Sequence, residues 1–219
     1  MLRLDPELYT WNATTRIPTK KYICGHCSAV VAPGQGFVCY SLDKNPRNNS
    51  LNVEHAFKNG WIRICMHICP SCLMPSVLDL NGKVQIPGSL VGQDILNAPP
   101  DVAALYLEAR HCKSANAPTA AVMACRKLLM HLAVEKGADA GDSFAAYVEF
   151  LVRNGWVPPG GRPLLDYLRK CGNEANHEIR ISRDDEAAAL LRFAEMLLKW
   201  MYEVALFVPT AAIPTESTG

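Results

Sequence analysis

Two pairs of cysteines, each with two residues between its members, are the side chains of this sequence best suited to chemistry. Cys24 and Cys27 enclose Gly-His, and Cys69 and Cys72 enclose Pro-Ser. Two such turns can present four thiolates to one Zn²⁺ in a tetrahedral site. The sequence therefore predicts a zinc site with these four cysteines as its ligands. Because four thiolates leave no open coordination position, we expect a structural rather than a catalytic role.

Other side chains that can bind metals lie near these pairs and leave the ligand set open. Cys39, Cys65 or His67 could replace one of the four cysteines, and His26 and His55 are further candidates. Each of these residues is more often a core or surface residue than a ligand. Ordinary buried thiols or a redox-active C-x-x-C turn are the alternatives to a metal site, but neither accounts for two such pairs.

The residues around and between the cysteine pairs have the composition of short strands separated by turns. The segments rich in β-branched and aromatic residues are FVCYSL, WIRICMHI, SVLDL and KVQI. Asn81-Gly82 between the last two predicts a hairpin with a type I′ turn. A hairpin inserted at 40–60 would account for the long spacing between the cysteine pairs. Because so small a sheet has little core of its own, a bound metal ion would help to hold it together.

Beyond Pro99-Pro100 the spacing of apolar residues becomes helical. The pattern predicts helices over roughly 101–113, 118–136, 143–154, 163–180 and 183–207. Asp101 is expected to cap the first of these helices, and Ser182 with Asp185 the last. We therefore expect an α+β chain, in which a strand-rich module over 1–92 precedes an all-helical domain over 93–208 and a flexible tail over 209–219.

Composition and charge restrict the class of protein. Of the 219 residues, 49% are hydrophobic and 20% are charged, which is normal for a globular protein with a core. The net charge of +1 excludes a chain that binds nucleic acid through its overall charge. No signal peptide opens the sequence, and no apolar run approaches the ~20 residues of a membrane span. We therefore expect a cytoplasmic protein, in which paired cysteines indicate metal ligands more than disulfides.

A second group of polar residues lies in the predicted helix over 163–180. If that helix is continuous, Asp166, Lys170, Asn173 and His177 share one face. A lysine, an amide and a histidine on one stripe could bind a phosphate or act on one. The alternative, which the spacing alone favours, is a solvated face. Arg126 in the preceding part of the chain is expected to pair with a carboxylate such as that of Glu174.

Two stretches of the helical half resemble a known family. The segment PTAAVMACRKLL, which begins at Pro118, is followed by Gly172, Asn173 and, after three residues, His177. Together they resemble the bacterial domain of unknown function 4145 family, which is similar to the HEPN (higher eukaryotes and prokaryotes nucleotide-binding) helical superfamily. The resemblance covers roughly 93–207 and, in outline, an N-terminal zinc-ribbon-like module.

The resemblance implies an antiparallel helical bundle that pairs as a homodimer. The closed cysteine site and the near-neutral charge favour a non-catalytic protein that interacts with a protein partner or with nucleic acid (RNA) or a nucleotide, and the resemblance suggests a link to restriction or phage defence. The alternative that it implies is a metal-independent endoribonuclease, which would use His177 with Arg169 or Lys170 and with Asn173 as an orienting residue. Arg169 lies one position too far from His177 for the family's spacing, and Lys170 lacks the planar guanidinium fork. We therefore expect the non-catalytic function.

Overall fold

The structure, a computed structural model, describes residues 4–40, 53–79, 84–157, 160–163, 165–166 and 181–204. Contacts divide the chain into two compact units, with the boundary between Leu90 and Val91, and Ser114–Asn116 group with the first. We call the first the strand unit and the second the helical unit. An antiparallel sheet region with a cysteine cluster is followed by a helical region, which confirms the α+β fold class.

The strand unit contains two antiparallel sheets. A five-stranded sheet has the order β1-β4-β5-β6-β7, and a two-stranded sheet pairs β2 with β3. The strands are β1 (Thr15–Arg16), β2 (Tyr22–Ile23), β3 (Val30–Val31), β4 (Gln35–Tyr40), β5 (Ile62–Ile68), β6 (Pro75–Asp79) and β7 (Gln85–Ile86), with the helix α1 (Val53–Lys58) between β4 and β5. β6 and β7 pair with Val77 opposite Ile86, as the hairpin prediction requires, while its Asn81-Gly82 turn lies outside the described residues.

The prediction of a hairpin over 40–60 is wrong for its second half, where residues 53–58 form α1 instead. Within this helix Glu54 and Lys58 form an i, i+4 ion pair of 3.2 Å, and such pairs favour helices. Gly60 then adopts a positive φ of 66° and ends the helix. Its buried Ala56 packs with Ile62 and Ile17, so a short apolar contact stabilises a helix that sequence periodicity could not reveal.

The described residues of the strand unit form two small cores rather than one large one. One contains Ile17, Ala56, Ile62 and Cys65. The other surrounds the paired cysteines and contains Tyr22, Val31 and Leu78 together with Cys24, Cys69 and Cys72. Because half of the buried residues of the second core are cysteines, the chemistry of their sulfur atoms affects how well this part of the sheet is held.

The helical unit is built from helices with one apolar face. Those described are α2 (Pro100–Ser114), α3 (Pro118–Glu135), α4 (Phe144–Arg153) and α5 (Asp184–Tyr202). Their buried faces form one core, to which α3 contributes Leu128, Leu129 and Leu132, and α5 contributes Leu190, Leu197 and Leu198. None of the helices in these ranges is long and apolar enough to cross a membrane. Most of the helix predicted over 163–180 lies outside the described residues.

The helix starts differ slightly from the predicted ones. α2 begins at Pro100, so Asp101 lies in its first turn rather than at its cap, since proline suits the first helical position. The cap of α5 is shifted by one residue from the predicted pair, because Arg183 occupies the cap position. The buried Glu186 accepts the backbone N–H of Arg183 at 3.0 Å, which is one half of a capping box.

Candidate metal centre

The two C-x-x-C turns have the same backbone geometry. The first follows β2, and there the backbone N–H of Ser28 donates to the carbonyl of Cys24 at 2.9 Å. The second follows β5, and the N–H of Leu73 donates to the carbonyl of Cys69 at 2.8 Å. Ser28 and Leu73, each directly after the second cysteine, both adopt a positive φ, of 62° and 54°. The sequence therefore folds into two matching turns, each presenting two sulfur atoms.

The first turn tolerates no side chain at its second position. A Cβ atom on Gly25 would lie 2.4 Å from the carbonyl oxygen of Gly88 and 2.6 Å from that of Pro87. Both carbonyls belong to the strand unit, directly after β7. Glycine is thus required between Cys24 and Cys27 because backbone from a distant part of the chain approaches closely.

The four sulfur atoms of the predicted ligands lie together. All of them are within 4.8 Å of one another, and the Cys24–Cys72 and Cys27–Cys69 sulfur pairs are each 3.8 Å apart. A tetrahedral metal site with metal–sulfur bonds of about 2.3 Å requires sulfur–sulfur distances of about 3.8 Å. Each of these short distances joins one sulfur of the first turn to one of the second, so a single ion could bind between the turns.

The buried environment of the cysteines disfavours the charged thiolate form unless a cation is bound. Cys24, Cys69 and Cys72 are buried, and Cys27 is half-buried. Burial raises the pKa of Cys24 to about 11 and also raises the pKa of Cys72. Burial pushes the pKa of Cys27 upward too, but hydrogen bonds to its sulfur from the backbone of Ala29 and from the other cysteines outweigh this and lower it. A divalent cation would supply positive charge that offsets the negative charge of the four thiolates.

The alternative ligands do not join this group. Among the residues that the structure describes, only the four predicted cysteines meet as a possible metal site. Cys39 is exposed on β4, whereas Cys65 and His67 are buried on β5. The Nε2 of His26 lies 3.0 Å from the carbonyl oxygen of Pro75, and the ring of His55 packs against Trp61. Tetrahedral sulfur ligands of this kind suit zinc or iron.

Buried polar groups near the sulfur cluster were missed by sequence reasoning. The hydroxyls of Tyr22 and Ser76 lie within reach of each other, and the Nδ1 of His67 has no hydrogen-bond partner among the described residues. Tyr22 packs edge-on to the His67 ring, and burial raises the pKa of Tyr22 to about 12. A buried polar group is normally satisfied by a partner or an ordered water. Only the alternation of β5 and β6, which puts His67 opposite Ser76, could have indicated this cluster.

The candidate residues of the helical half cannot be placed. His177, Arg169, Lys170 and Asn173 all lie outside the described residues, so the endoribonuclease alternative stays a prediction. Asp166 is exposed, with its carboxylate 3.9 Å from the guanidinium of Arg162.

The expected pairing of Arg126 with Glu174 is likewise untested, because Glu174 lies outside the described ranges. The guanidinium carbon of Arg126 stands 4.5 Å from the centre of the Phe144 ring. This is the geometry of a cation–π contact. Burial lowers the pKa of Arg126, and Arg126 is therefore a half-buried cation that packs on an aromatic ring.

The comparison with known proteins gives one match. No curated protein and no solved structure matches the chain. The resemblance found in the sequence is confirmed over residues 107–212, while the HEPN-like and zinc-ribbon-like descriptions stay predictions. The family model that matches these residues is described as Domain of unknown function (DUF4145), and the helical part of this chain is similar to that family.

Proposed function

We propose that Cys24, Cys27, Cys69 and Cys72 hold one structural Zn²⁺, and that the chain is a non-catalytic binding protein whose strand unit depends on this ion. The observation that carries the proposal is the set of sulfur distances, which suits one tetrahedral ion. An iron–sulfur cluster would hold its cysteine sulfurs farther apart, because several atoms lie between them. A single Zn²⁺ therefore fits the group better than an iron–sulfur cluster does.

A structural role follows from the closed ligand set. Four thiolates fill a tetrahedral site and leave no position for a water or a substrate. Cysteines make up half of the buried residues in this small core of the strand unit, and the other apolar residues there are few. The ion would thus replace the hydrophobic contacts that a small sheet cannot provide.

The ligand that we propose for the protein is nucleic acid or a nucleotide. Support comes from the exposed Arg16 and Lys21 on the strand unit, and from the implied kinship of the helical half with nucleotide-binding helical domains. A link to restriction or phage defence rests on that kinship alone, which is an analogy.

We also propose a homodimer formed through the helical unit. The outer face of α5 exposes Met196 and Trp200, with Val204 directly beyond the helix. These residues follow one another at four-residue spacing and therefore form one apolar stripe. A shallow cavity of about 540 Å³ lies along it. An exposed apolar stripe of this kind is typical of an interaction surface.

The zinc proposal is tested by elemental analysis of the purified full chain. We expect one zinc per chain, which is lost in Cys69→Ser and retained in Cys39→Ser, because Cys39 is exposed and outside the cluster. A strong chelator should remove the strand signal from the circular dichroism spectrum while the helical signal remains, since metal binding is coupled to folding of the unit that contains it. Equal zinc content in both variants, or iron in place of zinc, would contradict the proposal.

A further inference from the structure

A cleft in the strand unit lies between α1 and the segment Thr15–Lys20. Its outer part has a volume of about 680 Å³, and an inner cavity of about 290 Å³ shares Pro18, Thr19 and Phe57 with it. Together they lie within the range of about 300–1,000 Å³ that is usual for ligand pockets. None of the four cysteines of the metal centre, Cys24, Cys27, Cys69 and Cys72, lines either part of the cleft.

Cations line both parts of the cleft. The outer part is lined by Arg16 and Lys58, and the inner part by Lys20. Lys58 is neutralised by Glu54, whereas Arg16 is exposed and forms no ion pair with any carboxylate in the described ranges. A guanidinium group that points to solvent next to a cavity can bind a phosphate with two parallel hydrogen bonds.

An aromatic ring joins the two parts. Phe57, on α1, lines both cavities and is 37% exposed. An exposed phenylalanine at the wall of a cleft offers a flat apolar surface, and the faces of nucleic-acid bases stack on such rings. The hydroxyls of Thr15 and Thr19 line the same cleft and can hydrogen-bond to a sugar or a phosphate.

The inner cavity is lined by a buried histidine. His67 is 2% exposed, and its ring hydrogen-bonds to the backbone of Pro33. Since proline has no N–H, the Pro33 carbonyl accepts this bond. The ring therefore forms part of the buried wall of the inner cavity.

The other side chains of the inner cavity suit a polar ligand as well. The ammonium of Lys20 donates to the main-chain oxygen of Asp79 at 3.1 Å. Burial raises the pKa of the Cys65 thiol, and the Lys20 charge opposes this rise. The Cys65 thiol and the Lys20 ammonium are thus neighbours at one end of a cleft that has Arg16 at its other end.

We propose that this cleft binds a nucleotide, with its phosphate at Arg16 and its base stacked on Phe57. The inference rests on the proposed function, because it names the place and the chemistry of the nucleotide or nucleic-acid ligand proposed there. An acidic peptide would use the cations but not the flat aromatic ring. The same unit could be a free mononucleotide or one nucleotide of a single strand.

The test is calorimetric titration of the zinc-loaded full chain with adenosine monophosphate, adenosine, inorganic phosphate and a single-stranded RNA tetranucleotide. We expect the monophosphate or the tetranucleotide to bind, and adenosine or phosphate alone to bind more weakly. Arg16→Ala should weaken monophosphate binding about tenfold, because it removes a charge-assisted bond, and should leave adenosine binding unchanged. Phe57→Leu should weaken the binding of both the monophosphate and adenosine. Arg63→Ala, which removes an exposed arginine outside the cleft, should weaken the binding of neither.

The outcomes separate this inference from the proposed function. Tight binding of the monophosphate identifies a free nucleotide as the ligand, and binding of the tetranucleotide alone identifies a single strand. If Arg63→Ala weakened binding as much as Arg16→Ala does, the cleft would not be the binding site. Nucleic-acid binding at another surface would remain compatible with that result. If protein with one zinc per chain bound none of the probes, the proposals of a nucleotide ligand and of its site in the cleft would both be contradicted. The zinc proposal would not be affected. Zinc content of each variant, measured in the same samples, shows whether it has folded.

Discussion

Arg110 illustrates how one buried cation organises the beginning of the helical unit. It is 2% exposed, and its guanidinium donates to the carbonyl oxygens of Val91 at 2.9 Å and of Gly92 at 2.8 Å. It also pairs with the exposed carboxylate of Asp94. The planar group therefore fixes the segment before α2 by donating to main-chain oxygens of two half-buried residues.

Replacing this arginine should destabilise the helical unit strongly. Arg110→Met keeps most of the buried volume but leaves the carbonyls of Val91 and Gly92 unsatisfied, at a cost of about 2–4 kcal/mol in unfolding free energy. Arg153→Ala is the matched control, because the Arg153 side chain is 76% exposed and its bond to Glu149 is worth at most about 1 kcal/mol. Urea unfolding followed by circular dichroism measures both. Equal losses of unfolding free energy in the two variants would show that Arg110 does not stabilise the helical unit through these hydrogen bonds.

The cysteines and Arg110 differ in how far the sequence could predict them. The C-x-x-C spacing is local, so the sequence alone could group four ligands that lie in two distant turns. Nothing local marks Arg110, which stands among polar residues of α2 and becomes buried only through the segment at 91–94. The sequence could not indicate the cleft between α1 and the segment Thr15–Lys20 for the same reason, because its residues come from β1, α1 and β5.

At the scale of elements, α4 shows how a single cap defines a helix start. The Oγ of Ser143 accepts the backbone N–H of Ala146 at 3.2 Å, and Ser143 has an extended backbone. This satisfies one of the N–H groups that the first turn of a helix leaves without a partner. The apolar face of α4 then packs Phe144, Tyr147 and Leu151 into the core.

Removing the cap should cost a moderate amount of stability. Ser143→Ala deletes the acceptor and should lower the free energy of unfolding by about 1 kcal/mol. Ser143→Asp restores an acceptor and adds a negative charge at the helix start, so it should retain the stability of the original chain or exceed it. Thermal and urea unfolding of the two variants check this. A loss in Ser143→Asp as large as that in Ser143→Ala would mean that the cap contributes little.

Strong helical periodicity made α3 and α4 predictable to within a residue or two, because each buries a continuous apolar face. The short helix α1 was not predictable, since six residues hold too little periodicity to distinguish a helix from a turn. Its formation depends on Ala56 packing with Ile62 and Ile17, a contact between residues that are distant in the sequence. The cap of α5 was displaced because the buried carboxylate of Glu186 competes with the neighbouring Asp185.

At the scale of the whole molecule, the two units have separate hydrophobic cores of different size. The helical unit holds one large apolar core, whereas the strand unit divides its apolar residues between two small clusters. Among the residues that the structure describes, the outer face of α5 exposes the apolar stripe of Met196, Trp200 and Val204. Its charged neighbours alternate in sign, with Arg192 and Lys199 beside Glu195 and Glu203.

This arrangement suits pairing with a second copy of the chain. If two α5 helices pack antiparallel around a twofold axis near Leu198, Met196 of one copy meets Trp200 of the other. Arg192 then comes close to Glu203 of the second copy, so that opposite charges face each other at both ends. A twofold interface requires such self-complementarity.

The prediction is that Trp200→Glu converts a dimer into a monomer. Trp200 is 50% exposed at the centre of the stripe, and a charge there would be buried without a partner in the dimer. Because central aromatic residues carry much of the binding energy, the dissociation constant should rise about 30-fold or more. Met123→Glu is the control, since Met123 is 67% exposed on α3 and outside the stripe. Light scattering after size exclusion should show a dimer for the control and a monomer for Trp200→Glu. A monomeric original chain, or a dimer that Trp200→Glu leaves intact, would contradict an interface on α5.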